Sequence, residues 1–103
     1  MDEFTVIADG TRRRILDRLR VGESDVSGLI EALGSPQPLV SKHLRVLREA
    51  GVVTAAVAGN RRVYRLAADP LADVLGWVTP YYQLWTSSLD RLAAVLDEEV
   101  EGR

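Results

Sequence analysis

The chain has 103 residues, 47% of them hydrophobic and 27% charged, with a formal net charge of −2 at pH 7, the balance of one ordinary globular domain. It has no cysteine and a single histidine, His43, which excludes disulfides, thiolate metal sites, cysteine nucleophiles and any site needing two imidazoles. No apolar run approaches the roughly 18 residues of a membrane span, and the opening Met1-Asp2-Glu3 is not a basic-then-apolar leader, so a cytoplasmic protein without a membrane partner is expected.

Phe4 to Ala8 is a short apolar run that suits a helix packed on the rest. Asp9-Gly10-Thr11 is a break and a helix start, with Asp9 or Thr11 as N-cap. Ile15, Leu16 and Leu19 then share one helical face, and Arg12, Arg13, Arg14, Asp17 and Arg18 the other. Val21-Gly22-Glu23-Ser24 closes that helix, and Ser24 or Asp25 caps the next, whose core stripe is Val26, Leu29, Ile30 and Leu33. Gly34 ends it in a left-handed position. Ser35-Pro36 restarts at once as cap and first helical residue. In this third helix Leu39, Val40, Leu44 and Leu47 read inward, while Gln37, Ser41, Lys42, Arg45 and Arg48 read outward; Gly51 stops it. Pro38 still lies in the first turn, where its missing N–H is tolerated.

The period then shortens. Val52 to Val57 and Arg62 to Leu66 read as two strands joined by Ala58-Gly59-Asn60-Arg61, with Gly59-Asn60 supplying positive φ angles. Asp69-Pro70 starts another helix, with Leu71, Val74, Leu75 and Val78 as its stripe. Thr79-Pro80 repeats the cap-plus-proline signal and predicts a new or kinked helix, carrying Tyr81, Trp85, Leu89, Leu92 and Leu96 at steps of three and four. The acidic run Asp97-Glu98-Glu99-Glu101 reads as a solvated tail.

Charge is segregated along this order. Residues 1–34 carry five arginines against seven acids, and residues 69–103 two arginines against seven acids. Between them, Lys42, Arg45, Arg48, Arg61, Arg62 and Arg65 face Glu49 alone. Such a basic middle places a positive field on one part of the surface. Two short helices joined by a tight Gly-Ser-Pro turn are a helix-turn-helix, and a hairpin directly after it makes a winged helix. The expected fold is therefore mainly α with a two-stranded β-wing: helix-turn-helix over about 25–51, wing over about 52–67, C-terminal helices over about 69–99. One α-helix fits the major groove, so its readers must be polar side chains on the exposed face near the helix N-terminus. Ser35, Gln37, Ser41, Lys42 and Arg45 meet that description. Gln37 suits adenine, and Lys42 or Arg45 suits guanine or phosphate. Arg61 and Arg62, at the wing tip, suit phosphates or a narrow minor groove.

The runs Ala8-Asp9-Gly10-Thr11-Arg12-Arg13-Arg14-Ile15-Leu16 and Gln37-Pro38-Leu39-Val40-Ser41-Lys42-His43-Leu44-Arg45-Val46-Leu47-Arg48-Glu49-Ala50-Gly51-Val52-Val53 resemble the ArsR/SmtB family of bacterial repressors, and the likeness covers most of residues 5–66. The resemblance implies a homodimeric winged-helix transcriptional repressor on imperfect palindromes near its own promoter, nucleoid-associated when bound. It also implies that Ser41, Lys42 and His43 lie on the recognition helix. The candidate DNA contacts are thus Ser35, Gln37, Pro38, Ser41, Lys42, His43, Arg45, Arg61 and Arg62. The candidate dimer contacts are Phe4 and Ile7 with Val78, Tyr81, Trp85, Leu89, Leu92 and Leu96. Metal-sensing members carry a Cys-Val-Cys type motif where this chain has Asp25-Val26-Ser27-Gly28-Leu29, or Asp/His/His/Glu sets in a C-terminal helix that here has neither histidine nor cysteine. Neither metal nor cofactor is therefore expected. The stretch Pro80-Tyr81-Tyr82-Gln83-Leu84-Trp85 resembles a metal-independent, often autoregulatory branch.

Each of these residues also has a plainer reading. His43 is a DNA contact or a partly buried helix histidine. Arg12, Arg13 and Arg14 touch the DNA backbone or pair with Asp9, Asp17 and Glu31. Trp77, Tyr81, Tyr82 and Trp85 are core or dimer interface, or else line a pocket for a small-molecule inducer whose identity the sequence does not specify. The rival from another class is a protein-interaction winged helix that has lost specific DNA binding; its third helix would be neutral or acidic, and this one is basic. Catalysis is not expected, because Ser41 and His43 are two residues apart on one helix and face apart.

Overall fold

Three aspartates start the first three helices. Asp2 accepts from the Thr5 amide (2.8 Å) ahead of α1 (Glu3–Ile7), Asp9 from the Arg12 amide (3.0 Å) ahead of α2 (Gly10–Val21), and Asp25 from the Gly28 amide (2.9 Å) ahead of α3 (Val26–Leu33). Each bond satisfies a first-turn N–H that would otherwise lack a partner. In the computed structural model, which describes residues 1–101, these helices are followed by α4 (Gln37–Glu49), strands Val53–Ala58 and Arg61–Leu66, and α5 (Ala72–Glu101). The chain divides into two units, Met1–Leu71 and the segment from Ala72 onward.

In the first unit the predicted stripes converge on one core. Val6 of α1, Ile15 and Leu19 of α2, Leu29 and Leu33 of α3, and Val40, Leu44 and Leu47 of α4 are buried, closed over by Val52 ahead of the hairpin and by Val53 and Tyr64 from its strands. Gly34 ends α3 at φ +67, and Gly51 follows α4 at φ +77, so both helices stop where a left-handed residue turns the chain. α3 and α4 are joined by the three residues between Leu33 and Gln37, the tight connection of a helix-turn-helix.

The wing has one strand more than periodicity predicts. β1 (Ser24–Asp25) pairs antiparallel with β3 (Arg61–Leu66), which pairs with β2 (Val53–Ala58), in the order β1-β3-β2. Ser24, expected only as a helix-capping candidate, lies opposite Tyr64 and is buried. At the hairpin tip Ala58 pairs with Arg61 across Gly59-Asn60. Only Gly59 has positive φ (+67), so Asn60 does not share the left-handed conformation the sequence suggested.

Two helix expectations are corrected. Ser35 does not cap α4: Pro36 is the extended cap residue, its carbonyl accepting from Leu39 and Val40 (both 3.1 Å), and no side chain caps the helix. Thr79-Pro80 does not start a new helix either, because α5 runs continuously through Pro80. The Thr79 hydroxyl donates to the Leu75 carbonyl one turn back (2.5 Å), so it is engaged inside the helix and unavailable as a cap. Along α5, Val78, Tyr81, Trp85, Leu89, Leu92 and Leu96 are all exposed. No helix among the described residues is long and apolar enough to cross a membrane.

Candidate nucleic-acid interface

The face α4 presents follows from the face it buries. Val40, His43, Leu44 and Leu47 form the inward row, at the i, i+3, i+4, i+7 spacing of one helical face. Leu39, expected inward, is 39% exposed, and His43 takes the inward place instead at 8%. Opposite this row stand Pro38, Ser41, Lys42 and Arg45, with Gln37 and Arg48 beside them, all exposed; Ser35 is half-buried in the turn. Of the candidate contacts on α4, His43 alone faces the core.

The cations of the site differ in how far they are already neutralised. Arg45 pairs with Glu49 one turn on (3.2 Å), both side chains largely exposed, an interaction worth a few tenths of a kcal/mol. Arg61 pairs with Asp25 (2.8 Å), and Arg65 with Glu23 (3.3 Å). Among the described residues Lys42, Arg48 and Arg62 have no acid at ion-pair distance. Sequence reasoning missed these wing pairs, because their acids come from the segment before α3 and meet β3 only through the β1–β3 ladder. Asp25 thereby serves two elements. Its carboxyl is held below the usual carboxylate range first by the Gly28 amide and also by the Arg61 guanidinium. A Cβ at Gly28 would run into the Ser24 hydroxyl, which would have to turn away and give up its bond to the Asp25 carbonyl.

The arginine run of α2 neither stands free nor bonds to the acids expected for it. Arg12 donates from Nε to the Val6 carbonyl (2.8 Å) and from Nη2 to the Thr5 carbonyl (3.2 Å); Arg13 donates to the Ile7 carbonyl (2.6 Å), and Arg14 to the Leu33 carbonyl (2.9 Å). The three guanidinium groups thus bind the C-terminal carbonyls of α1 and α3, where the helix dipole favours a cation. Asp9 is held below the usual carboxylate range mainly by the Arg12 amide, with the Arg12 side chain adding to the effect. Among the described residues no three or more His, Asp or Glu side chains converge in a way that would hold a metal ion.

Residues 9–55 match the description of bacterial regulatory proteins of the arsR family, the stretch holding α2, α3, α4 and the start of the wing. The HTH-type transcriptional regulator Rv2034 of Mycobacterium tuberculosis is 41% identical over 96 residues, covering 93% of this chain and 87% of that protein. The transcriptional repressor SdpR of Bacillus subtilis is 33% identical over 75 residues, covering 73% of this chain and 83% of that protein. Among solved structures, the homodimeric winged helix-turn-helix DNA-binding domain Mb0332 (fragment 1–100) from Mycobacterium bovis superposes with a TM-score of 0.64 at 29% identity, covering 97% of this chain and 80% of that chain. With the helix-turn-helix, the wing and the basic outer face of α4 in place, the chain belongs to the arsR family of bacterial regulatory proteins: it is a winged helix-turn-helix transcriptional regulator, a DNA-binding repressor and not an enzyme.

Proposed function

We propose that the chain represses transcription as a homodimer that lays two copies of α4 into successive major grooves of a pseudo-palindromic operator, about 34 Å apart, and that it does so without sensing a metal. The observation that carries this reading is the outer face of α4, where Ser41, Lys42 and Arg45 stand exposed over an inward row that is wholly buried. Gln37 and Pro38 begin that face, and the uncapped helix start favours phosphate beside them. Ser41, Lys42 and Arg45 contact base edges or phosphates, Ser35 borders the turn, and the wing contributes Arg62, with Arg61 once it is released from Asp25. His43, whose ring faces inward, supports this face from behind. Repression follows from occupancy, because a dimer on promoter DNA excludes polymerase.

Dimerisation is assigned to Phe4 and Ile7 of α1 and to the exposed apolar row of α5. Metal independence follows from the ligand set: the chain has no cysteine, and its one histidine is buried. The test is anisotropy binding to a duplex from upstream of the chain's own coding region, against a scrambled duplex, across salt. Sequence-preferring, salt-sensitive binding that weakens in Lys42→Ala and Arg45→Ala is expected. Removing one cation from a phosphate lowers the log–log salt slope by about 0.9. Equal, weak binding to both duplexes would move this face to protein interaction, and unchanged affinity in both variants would remove α4 as the reading helix.

A further inference from the structure

Arg12 sits in the first turn of α2, yet its guanidinium reaches two other helices. Two of its N–H groups hold the Thr5 and Val6 carbonyls at the end of α1. The third nitrogen, Nη1, lies 3.4 Å from Nδ1 of His43 on α4. A guanidinium has donors and no acceptor, so a hydrogen bond across this contact requires Nδ1 to accept it, with the ring proton on Nε2. His43 directly follows Lys42 and comes two residues before Arg45. Turning α4 about its axis to carry the ring away from Arg12 also swings both cations away from where they now point. The two outward cations and the one inward ring are therefore a single rotational setting of the helix.

We infer that Arg12 and His43 are a positioning pair that fixes the rotation of α4: the arginine fork ties the ring to the end of α1 and so aims Lys42 and Arg45 at DNA while touching no DNA itself. The inference rests on α4 being the reading helix. It separates Arg12 from a phosphate contact, the other use of an arginine in a DNA-binding protein. Lysine keeps the charge but offers one compact donor group, which cannot span the two carbonyls and the ring as the planar fork does. Charge and fork are thus separable by substitution.

Arg12→Lys, Arg12→Gln and the unsubstituted protein would be titrated over a salt series against a duplex enriched by the unsubstituted protein from a random-sequence library, and against its scrambled version. A positioning role predicts that Arg12→Lys weakens binding to the enriched duplex by about tenfold, as loss of one or two charge-assisted bonds would. Binding to the scrambled duplex should hardly change, and the salt slope should stay the same in both variants. A slope that falls by about 0.9 in Arg12→Gln and recovers in Arg12→Lys would make Arg12 a phosphate ligand and overturn the inference. So would Arg12→Lys binding the enriched duplex like the unsubstituted protein. Ring nitrogen NMR shifts of His43 in the unsubstituted protein give a second reading that needs no variant to fold: protonated Nε2 and bare Nδ1 are expected, and a proton on Nδ1 overturns the pair. Lys42→Ala run alongside separates the two levels. If it leaves affinity and slope intact, the placement of the reading helix has failed; if it lowers both while Arg12→Lys is silent, the positioning pair has failed.

Discussion

The two units of this chain treat their apolar residues in opposite ways. Through Leu71, the stripes of four helices and a small sheet bury one another, and Ile15, Leu29, Val40 and Leu47 are fully enclosed. From Ala72 onward, a 30-residue helix keeps an equally regular row exposed, with Trp85 at 62%. A row of that length at three- and four-residue spacing is the pattern of a buried helix face, and a large exposed apolar patch marks an association surface. The first unit shows apolar periodicity that the chain satisfies by itself. The second shows the same periodicity left exposed, and if the proposed dimer forms through it, stability there should depend on protein concentration.

The largest effect expected is in the first unit. Leu44→Ala removes a fully buried side chain from the inward row of α4 and should cost about 2–5 kcal/mol, through lost transfer energy and the cavity left behind. Urea denaturation would show a lower midpoint with the slope unchanged. The cost should be the same at every protein concentration once any contribution from the proposed dimer is taken into account. A loss below about 1 kcal/mol would mean that this core yields more than its packing suggests.

A smaller, different effect is expected on α5. Trp85→Ala should leave the helical signal of the first unit in place while weakening self-association by about 2 kcal/mol or more, roughly thirtyfold in dissociation constant, as for a buried aromatic anchor. Sedimentation over a concentration series measures it. Unchanged self-association in both Trp85→Ala and Leu92→Ala would take the dimer away from this row and leave the contrast between the two units without its explanation.

Much of that contrast was legible in the sequence, and the misses have specific physical causes. Aspartate caps, left-handed glycines and helical stripes are local signals, and α2, α3, α4 and the β2–β3 hairpin came from them. β1 was not legible because two residues carry no period; it exists only because Ser24 and Asp25 meet Tyr64 and Val63 across the ladder. Leu39 and His43 were exchanged because leucine outranks histidine in hydrophobicity, although 40, 43, 44 and 47 is the better helical row. Counting charge by segment could not show that Glu23 and Asp25, in the acidic first third, fold onto Arg65 and Arg61 of the basic middle. Nor could it show that Arg12, Arg13 and Arg14 go to main-chain carbonyls, since a carbonyl leaves no trace in composition.

The smallest effect expected sharpens the comparison at its edge, because the carboxylates that cap helices lie in the first unit. Asp2, Asp9 and Asp25 are each held below the usual carboxylate value of 3.8, chiefly by the backbone amides of Thr5, Arg12 and Gly28 respectively. A carboxyl depressed in the folded state binds its proton more readily in the unfolded chain. Its contribution is therefore present above the unfolded value and lost as pH falls through the lower folded one. Asp9→Ala removes the cap of α2 and should cost about 1 kcal/mol at pH 7. Asp9→Asn keeps a cap of similar strength without the charge and should be near neutral there. Below about pH 4 the unsubstituted protein should lose stability more steeply than Asp9→Asn does, because one of its three depressed carboxyls no longer titrates in the variant. Urea midpoints at pH 7 and at pH 3 measure both differences. Parallel losses in the two proteins would mean that the Asp9 carboxylate acts as a cap through its shape alone, and that the acid sensitivity of the first unit lies with Asp2 and Asp25.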